Sequence, residues 1–294
     1  MRTFLTLVLA AAALSLTAAA AAQVGSGRAG AERRADPAKQ AVAYGSDRLQ
    51  VVDYWAGPSA NAPLVVFVHG GGWKRGDKRM MDGSAKLSHW RAQGYAVASV
   101  NYRLVPEATV EQQGADVAAA LAALKARAAT LGFDARRMAL VGHSAGAHLV
   151  ALVGTDPAYL LTAGLSFADV AGIVPLDGAA YDVAAQMGDG PPIMRGTYEQ
   201  AFGTDPARQA RLSPTRQAGA PNAAEFLILH VQRDDGKRQS EALGAALRQA
   251  GSSAVVRGFP GRGLRGHAQI NRELGDPDYP ATAVVDAFLA RIFG

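Results

Sequence analysis

The chain contains no cysteine. No disulfide can therefore form, and no N-terminal cysteine is available for lipid modification, so stability must come from the apolar core alone. The 294 residues, of which 49% are hydrophobic, are enough for one large α/β domain or at most two small ones. This composition is typical of a globular protein and excludes a chain that is disordered throughout.

Charged residues are also few, at 19% of the chain, and the formal net charge is +5. The arginines are spread along the sequence, and no basic block is interleaved with aromatic residues. We therefore expect no nucleic-acid partner. Acidic clusters at metal-ligand spacing are missing as well, since Asp276 and Asp278 are better explained by a turn. Neither a metal nor an organic cofactor is expected.

The first 22 residues have the pattern of a cleaved signal peptide. Arg2 gives a positive start, an apolar stretch follows from Phe4 to Leu16, and the small residues 20–22 form a cleavage site. A transmembrane anchor is the competing interpretation, but the alanine run is only weakly apolar. We expect cleavage near Ala22, export to the periplasm or the medium, and no stable membrane insertion afterwards.

The next residues, 23–43, are rich in Ala, Gly, Arg and Gln without periodicity, which predicts a flexible leader. From residue 44 to 294, candidate strands such as Leu49–Trp55 and Leu64–Val68 alternate with helical patterns such as Val110–Leu131. Fully apolar strands that alternate with helices predict a mostly parallel sheet with helices on both faces. Residues 155–221 hold more Gly, Pro and Asp, which predicts a lid-like excursion there.

The most informative motif is Gly-His-Ser-Ala-Gly at residues 142–146. A short apolar segment, Arg137–Val141, precedes it, and a helical segment, Ala147–Val153, follows it. Strand, Gly-x-Ser-x-Gly and helix are the context of a nucleophile elbow, in which a sharp turn exposes the serine hydroxyl. Ser144 is therefore the predicted nucleophile. The alternative is a glycine-rich turn with an idle serine.

A second motif, His-Gly-Gly-Gly-Trp at residues 69–73, follows the strand that ends at Val68. Consecutive glycines allow backbone N–H groups to approach a substrate closely, as an oxyanion hole requires. The predicted donors are Gly71, Gly72 and Ala145. A phosphate-binding loop is the alternative, but neither glycine cluster continues into Gly-Lys-Ser/Thr or fits the dinucleotide spacing.

A serine hydroxyl needs a base, and the base needs a third group to orient it. Among the six histidines, His267 is predicted to lie in a glycine-rich loop after a late strand, which favours it as the base over a surface role. In the order Ser, acid, His, the acid follows the strand that ends near Val231. Asp234 is favoured because it is nearer to that strand, and Asp235 stays open as the alternative.

Together with Asn-Tyr-Arg-Leu at residues 101–104, the two glycine motifs resemble the esterase/lipase branch of the α/β-hydrolase family. The pattern is similar to hormone-sensitive-lipase-like carboxylesterases and to kynurenine formamidase-like enzymes, over about residues 44–294. The resemblance implies an α/β-hydrolase fold with Ser144, Asp234 and His267 as triad. It also implies the same three oxyanion donors, and an open pocket for small substrates, since no long helical cap precedes residue 69.

The expected activity is that of a serine carboxylesterase acting on short-chain or acetyl esters of small molecules through an acyl-enzyme. The alternatives are an aryl formamidase-like amide hydrolase and a non-catalytic binding domain. Trp73 and His143 are predicted to line the substrate pocket. Arg103 is predicted to pair with an acid such as Asp116, in a structural role. The sequence carries no signal for oligomeric state.

Overall fold

Eight strands form one sheet in the order β1-β2-β4-β3-β5-β6-β7-β8. The computed structural model describes residues 39–219 and 221–294, so the predicted signal peptide and most of the predicted leader lie outside the described residues. Within the described sheet, β2 alone runs against its neighbours, and the pairs from β4 to β8 are parallel. The strands are β1 Gln40–Ala43, β2 Val51–Trp55, β3 Ala62–Val68, β4 Ala96–Val100, β5 Phe133–His143, β6 Gly172–Leu176, β7 Glu225–Gln232 and β8 Ser253–Arg262.

The helices cover both faces of this sheet. They are α1 Ala85–Ala92, α2 Val110–Ala126, α3 Ala128–Leu131, α4 Ala145–Thr155, α5 Pro157–Thr162, α6 Val183–Asp189, α7 Arg195–Phe202, α8 Pro206–Arg211, α9 Pro214–Gln217, α10 Asp234–Gln249, α11 Gly263–Glu273 and α12 Pro280–Phe293. In the described ranges, no helix is both long and apolar enough to cross a bilayer.

The strand β3 shows why fully apolar strands require helices on both sides. Successive side chains of a strand point to opposite faces, and all five residues of Leu64–Val68 are buried. Leu64, Val66 and Val68 pack into the core on the face covered by α2 and α4. Val65 and Phe67 pack into the core on the other face, with side chains of α1 and α12. The two cores hold the parallel strands in one layer, whose carboxyl ends form a common edge.

Three boundaries differ from the sequence-based expectation. The ordered domain begins before residue 44, because Gln40–Ala43 pairs antiparallel with β2. The first strand expected from Leu49 starts at Val51. His267 lies within the helix α11 and not in a loop. The expected excursion is helical: α6 to α9 all lie between β6 and β7.

The predicted pairing of Arg103 with Asp116 is confirmed. The Asp116 carboxylate is 2% exposed and accepts hydrogen bonds from the Arg103 backbone N–H at 2.9 Å and from its Nη2 at 2.7 Å. Arg103 Nε donates to the same carboxylate at 2.9 Å, and so does Gln50 Nε2, also at 2.9 Å. The pair therefore ties the loop after β4 to α2.

We expect Asp116→Asn to lower the free energy of unfolding by about 3 kcal/mol, because the carboxylate is buried and its loss leaves the Arg103 guanidinium, which is 28% exposed, without its charged partner. The melting temperature should fall by about 10 °C, measured by circular dichroism. Glu107→Gln is the matched control, since Glu107 is exposed and should change the melting temperature little. Equal melting temperatures for the two variants would contradict a structural role for the pair.

Candidate active site

Ser144 lies at the turn between β5 and α4, with a φ of 57° that is rare for a residue other than glycine. The turn is possible because of the glycines beside it. A Cβ at position 142 would lie 2.3 Å from the Gly146 carbonyl oxygen, and one at position 146 would lie 2.1 Å from the Val68 carbonyl oxygen. The geometry is that of a nucleophile elbow, with Ser144 immediately before the first turn of α4.

The glycine loop after β3 packs directly against this elbow. A Cβ at Gly70 would lie 2.9 Å from the Ser144 Cβ, so the two segments touch. Gly71 and Gly72 have positive φ values of 126° and 62°. Of the three predicted oxyanion donors, Gly72 and Ala145 line a pocket with Ser144, whereas Gly71 lies one residue outside the pocket lining. As the first residue of α4, Ala145 has a backbone N–H without an acceptor inside the helix.

His267 is hydrogen-bonded to Asp177, an acid that was not predicted from the sequence. Its Nδ1–H donates a hydrogen bond of 2.6 Å to Oδ2 of Asp177. The Asp177 side chain is fully buried, and its Oδ1 accepts the Val231 backbone N–H at 3.0 Å. Burial would raise the pKa of Asp177, but the hydrogen bond from His267 and the positive charge of Arg233 outweigh it and hold the pKa below its usual range. The carboxylate is therefore ionised when it orients the imidazole.

Asp177 directly follows the last residue of β6, and its φ is 43°. Its backbone N–H donates to the Leu229 carbonyl at 2.7 Å, which ties this strained turn to the neighbouring strand β7. The sequence signal for this residue is an acid immediately after an apolar strand. The same signal favoured Asp234. Asp177 follows its strand directly, whereas Arg233 lies between the end of β7 and Asp234.

The assignment of Asp234 as the acid that orients His267 is therefore corrected. Asp234 is exposed at the start of α10 and lines an open groove of about 970 Å³ beside β8. Asp235, the alternative, is buried but contacts Arg233 and Gln186 and not His267. β7 extends to Gln232, and α10 begins two residues later, so that the Asp234 side chain is directed to solvent.

The expectation that His143 borders the substrate is also corrected. Its Nε2–H donates to the His267 backbone carbonyl at 2.9 Å, and the two ring centroids are 4.5 Å apart. Burial, followed by the nearby His267, lowers the pKa of His143 to about 3, so the ring is neutral near pH 7. His143 contacts the helix turn that carries His267, and the pocket lining does not include it.

The pocket over Ser144 is small, with a volume of about 40 Å³. Trp73 contributes to its wall, as do residues of the segment between β6 and β7. The lining residues are Gly72, Trp73, Ser144, Ala145, Ala179, Pro191, Met194, Tyr198, Arg233, Leu264 and His267. The proposed nucleophile and the histidine thus open onto the same space, and little more than one small group fits beside them.

The indole of Trp73 is fixed by a buried histidine. Trp73 Nε1–H donates to Nδ1 of His148 at 3.3 Å, and Nε2–H of His148 donates to the Leu212 carbonyl at 2.8 Å. Burial lowers the pKa of His148 to about 4, which keeps this ring neutral with one donor and one acceptor. The arrangement gives the pocket a rigid wall.

Several known proteins are similar to this chain. A profile of the BD-FAE family matches residues 54–163, which include both glycine motifs. Over 235 residues the chain is 32% identical to the probable carboxylic ester hydrolase LipM of Mycobacterium tuberculosis, an alignment that covers 73% of this chain and 53% of LipM. The chain is therefore similar in sequence to esterases of the α/β-hydrolase family.

The chain is also 35% identical over 121 residues to the kynurenine formamidase of Drosophila melanogaster, with 39% of the chain and 37% of that protein covered. Among solved structures, Esterase B from Lactobacillus rhamnosis superposes with a TM-score of 0.71 at 22% identity and covers 88% of this chain and 85% of its own. That superposition confirms the predicted fold. The α/β-hydrolase chain spans about half the length of LipM and a smaller share of the formamidase.

Proposed function

We propose that the protein is a serine carboxylesterase that hydrolyses short-chain or acetyl esters of small molecules, with Ser144 as nucleophile, His267 as base and Asp177 as the orienting acid. The observation that carries this proposal is that Ser144 and His267 line one pocket while His267 Nδ1 is bound to the buried Asp177 at 2.6 Å. Similarity to carboxylic ester hydrolases supports it. Because residues 1–22 have the pattern of a signal peptide, we also propose that the enzyme acts after export.

In the first half of the reaction, Ser144 Oγ attacks the ester carbonyl carbon as His267 Nε2 accepts the hydroxyl proton. The carbonyl electron pair moves to oxygen, where the N–H groups of Gly71, Gly72 and Ala145 are the proposed donors. Donation of Nδ1–H to Asp177 keeps Nε2 free to accept that proton. The imidazolium then protonates the alkoxy oxygen, the C–O bond breaks, and the alcohol leaves.

In the second half, water attacks the acyl-enzyme and gives its proton to His267. The bond between the carbonyl carbon and Ser144 Oγ breaks, and the proton returns to the serine. No step in this sequence calls for a metal ion or an organic cofactor, because the charge that forms is balanced by backbone N–H groups and by Asp177. The same residues therefore serve both acylation and deacylation.

The pocket volume predicts the acyl preference. A cavity of about 150 Å³ holds benzene, and the space over Ser144 is about 40 Å³. We expect kcat/KM for p-nitrophenyl acetate and butyrate to exceed that for the laurate by roughly 100-fold, because each methylene that lacks a pocket loses binding energy. The measurement is initial-rate hydrolysis across the acetate-to-laurate series by the mature chain.

Ser144→Ala is the control for background hydrolysis in this series. Rates that rise toward the laurate would contradict a small acyl pocket while leaving a serine esterase in place. Equal rates for the native chain and the variant would contradict the proposed function itself. Labelling of Ser144 by a fluorophosphonate would distinguish an inert binding domain from an enzyme whose ester was not in the series.

A second candidate, an aryl formamidase-like amide hydrolase, is favoured by the similarity to kynurenine formamidase. The formyl group is smaller than acetyl and fits the same pocket, and the same residues would protonate an aniline leaving group through His267. Hydrolysis of an N-formylaniline tests it in the same assay. A kcat/KM above that for p-nitrophenyl acetate would favour the amide hydrolase over the esterase.

A further inference from the structure

Arg233 places a buried positive charge against the proposed triad. Its side chain is 8% exposed, and its Nε lies 3.2 Å from Oδ2 of Asp177. That oxygen is the one that accepts the hydrogen bond from His267. Arg233 Nη2 also donates to the Gly178 carbonyl at 3.1 Å, so the guanidinium is held at the turn that carries the acid.

Asp235 lies on the other side of the same guanidinium. Its Oδ2 is 3.5 Å from Arg233 Nη1, and its side chain is also 8% exposed. Gln186 Nε2 donates to that carboxylate at 3.0 Å and lies 3.2 Å from the Tyr198 hydroxyl. Asp235 is therefore fixed in a buried position, whereas its neighbour Asp234 is exposed.

The charges of these groups have a consequence for His267. Interactions between charges are much stronger in a buried environment than in water. A guanidinium beside Asp177 offsets the negative charge that stabilises the imidazolium. With Asp235 present, the two carboxylates and the one guanidinium leave one net negative charge, which the imidazolium neutralises when it forms.

We propose that Asp235 is a positioning residue of the triad that acts through Arg233: it balances the guanidinium so that the charge of Asp177 stays available to His267. The inference rests on the proposed function and gives a role to one of the two acids that follow β7, Asp235, although it does not contact His267. Asp235 touches neither substrate nor the reacting atoms and is not a catalytic residue in the strict sense.

Other titratable groups lie near the triad, and Tyr198 is one of them: burial, followed by the charge of Asp235, raises its pKa. Burial holds the pKa of Tyr181 far above its usual range and raises that of Tyr279 to about 12, so both are neutral near pH 7. His143 is neutral as well. Lys86, on α1, is buried, which lowers its pKa to about 8, and its Nζ donates to the Asn271 carbonyl. Its charge is the same in the native chain and in variants at positions 233 to 235.

The test is a double-mutant cycle at positions 233 and 235. We expect Asp235→Asn to lower kcat/KM for p-nitrophenyl acetate about tenfold, mainly through kcat, which is within the range of couplings between contacting residues. Arg233→Met combined with Asp235→Asn should recover activity to within about threefold of native, because the triad regains its net charge. Asp234→Asn is the matched control and should leave kcat/KM unchanged.

A purely structural role for the pair gives a different pattern, in which the double variant is at least as impaired as the worse single variant. That result, or an Asp235→Asn enzyme with native kcat, would overturn the proposal. Circular dichroism melting establishes folding of each variant. If Asp235→Asn alone does not fold, the double variant decides. Activity within about threefold of native supports charge balance, and any larger loss contradicts it.

The rate of Ser144 labelling by a fluorophosphonate is measured in parallel for each variant. If the native chain is neither labelled nor active on any ester, the proposed function fails, and this inference fails with it. If the native chain is labelled and active but the double variant does not recover, only the inference on Asp235 fails. The two failures are therefore distinguishable.

Discussion

Ser144→Ala should lower kcat for short-chain esters by about 10⁴-fold or more. The acyl-enzyme route depends on a bond from Ser144 Oγ, and an alanine cannot form it. The pocket should still bind ester, because its other lining residues are unchanged, so KM should move little. The measurement is kcat and KM for p-nitrophenyl acetate with the native chain and the variant, at matched protein concentration.

The control for folding is the melting temperature. We expect it to be unchanged, because the φ of 57° at position 144 is no more strained for alanine than for serine. A variant that melts as the native chain does and is inactive supports the nucleophile. A variant that retains more than about one tenth of native kcat would require water to attack the ester directly. The mechanism proposed above would then be wrong.

Asp177→Asn should lower kcat by roughly 10³–10⁴-fold. The amide cannot supply the negative charge that stabilises the imidazolium. It can also present an N–H to His267, which favours the tautomer with Nε2 protonated and removes the base. Since the carboxylate accepts a 2.6 Å hydrogen bond from His267 and contacts Arg233 at 3.2 Å, the substitution changes the triad without leaving a cavity.

Asp234→Asn, tested beside it, distinguishes the two acids. Asp234 is exposed in a separate groove, and kcat should stay within about twofold of native. A large loss with Asp234→Asn and a small one with Asp177→Asn would show that the loop after β7 moves to supply the acid in solution. That outcome would restore the assignment based on sequence and overturn the one based on geometry.

The fold could be predicted from the sequence because its signals are local and redundant. Five consecutive apolar residues in β3 can only be buried on both faces, and the glycines at 142 and 146 fit a turn that excludes any Cβ. The Arg103–Asp116 pair, which was expected from the family resemblance, is also confirmed. By contrast, β1 is four residues long and mostly exposed, so the pattern of hydrophobic residues does not predict a strand there.

The acid of the candidate site could not be chosen from the sequence, because the choice depends on distance in space. Asp177 and Asp234 both follow buried strands whose carboxyl ends lie at one edge of the sheet. What separates them is a strained φ at Asp177 and the direction of α10, and neither is visible in residue types. Similarly, three glycines within residues 261–266 favoured a loop, whereas α11 starts at Gly263.

The position of Asp177 has a consequence for redesigning this protein. The acid is the first residue of the segment that joins β6 to β7, and that same segment supplies Ala179, Pro191, Met194 and Tyr198 to the pocket. Exchanging the whole segment for that of a related esterase would replace this part of the pocket wall and would also remove Asp177, the acid that orients His267. A chimera made to alter acyl preference therefore needs its first crossover after Tyr181, whose carbonyl also receives the Thr215 N–H at 2.8 Å.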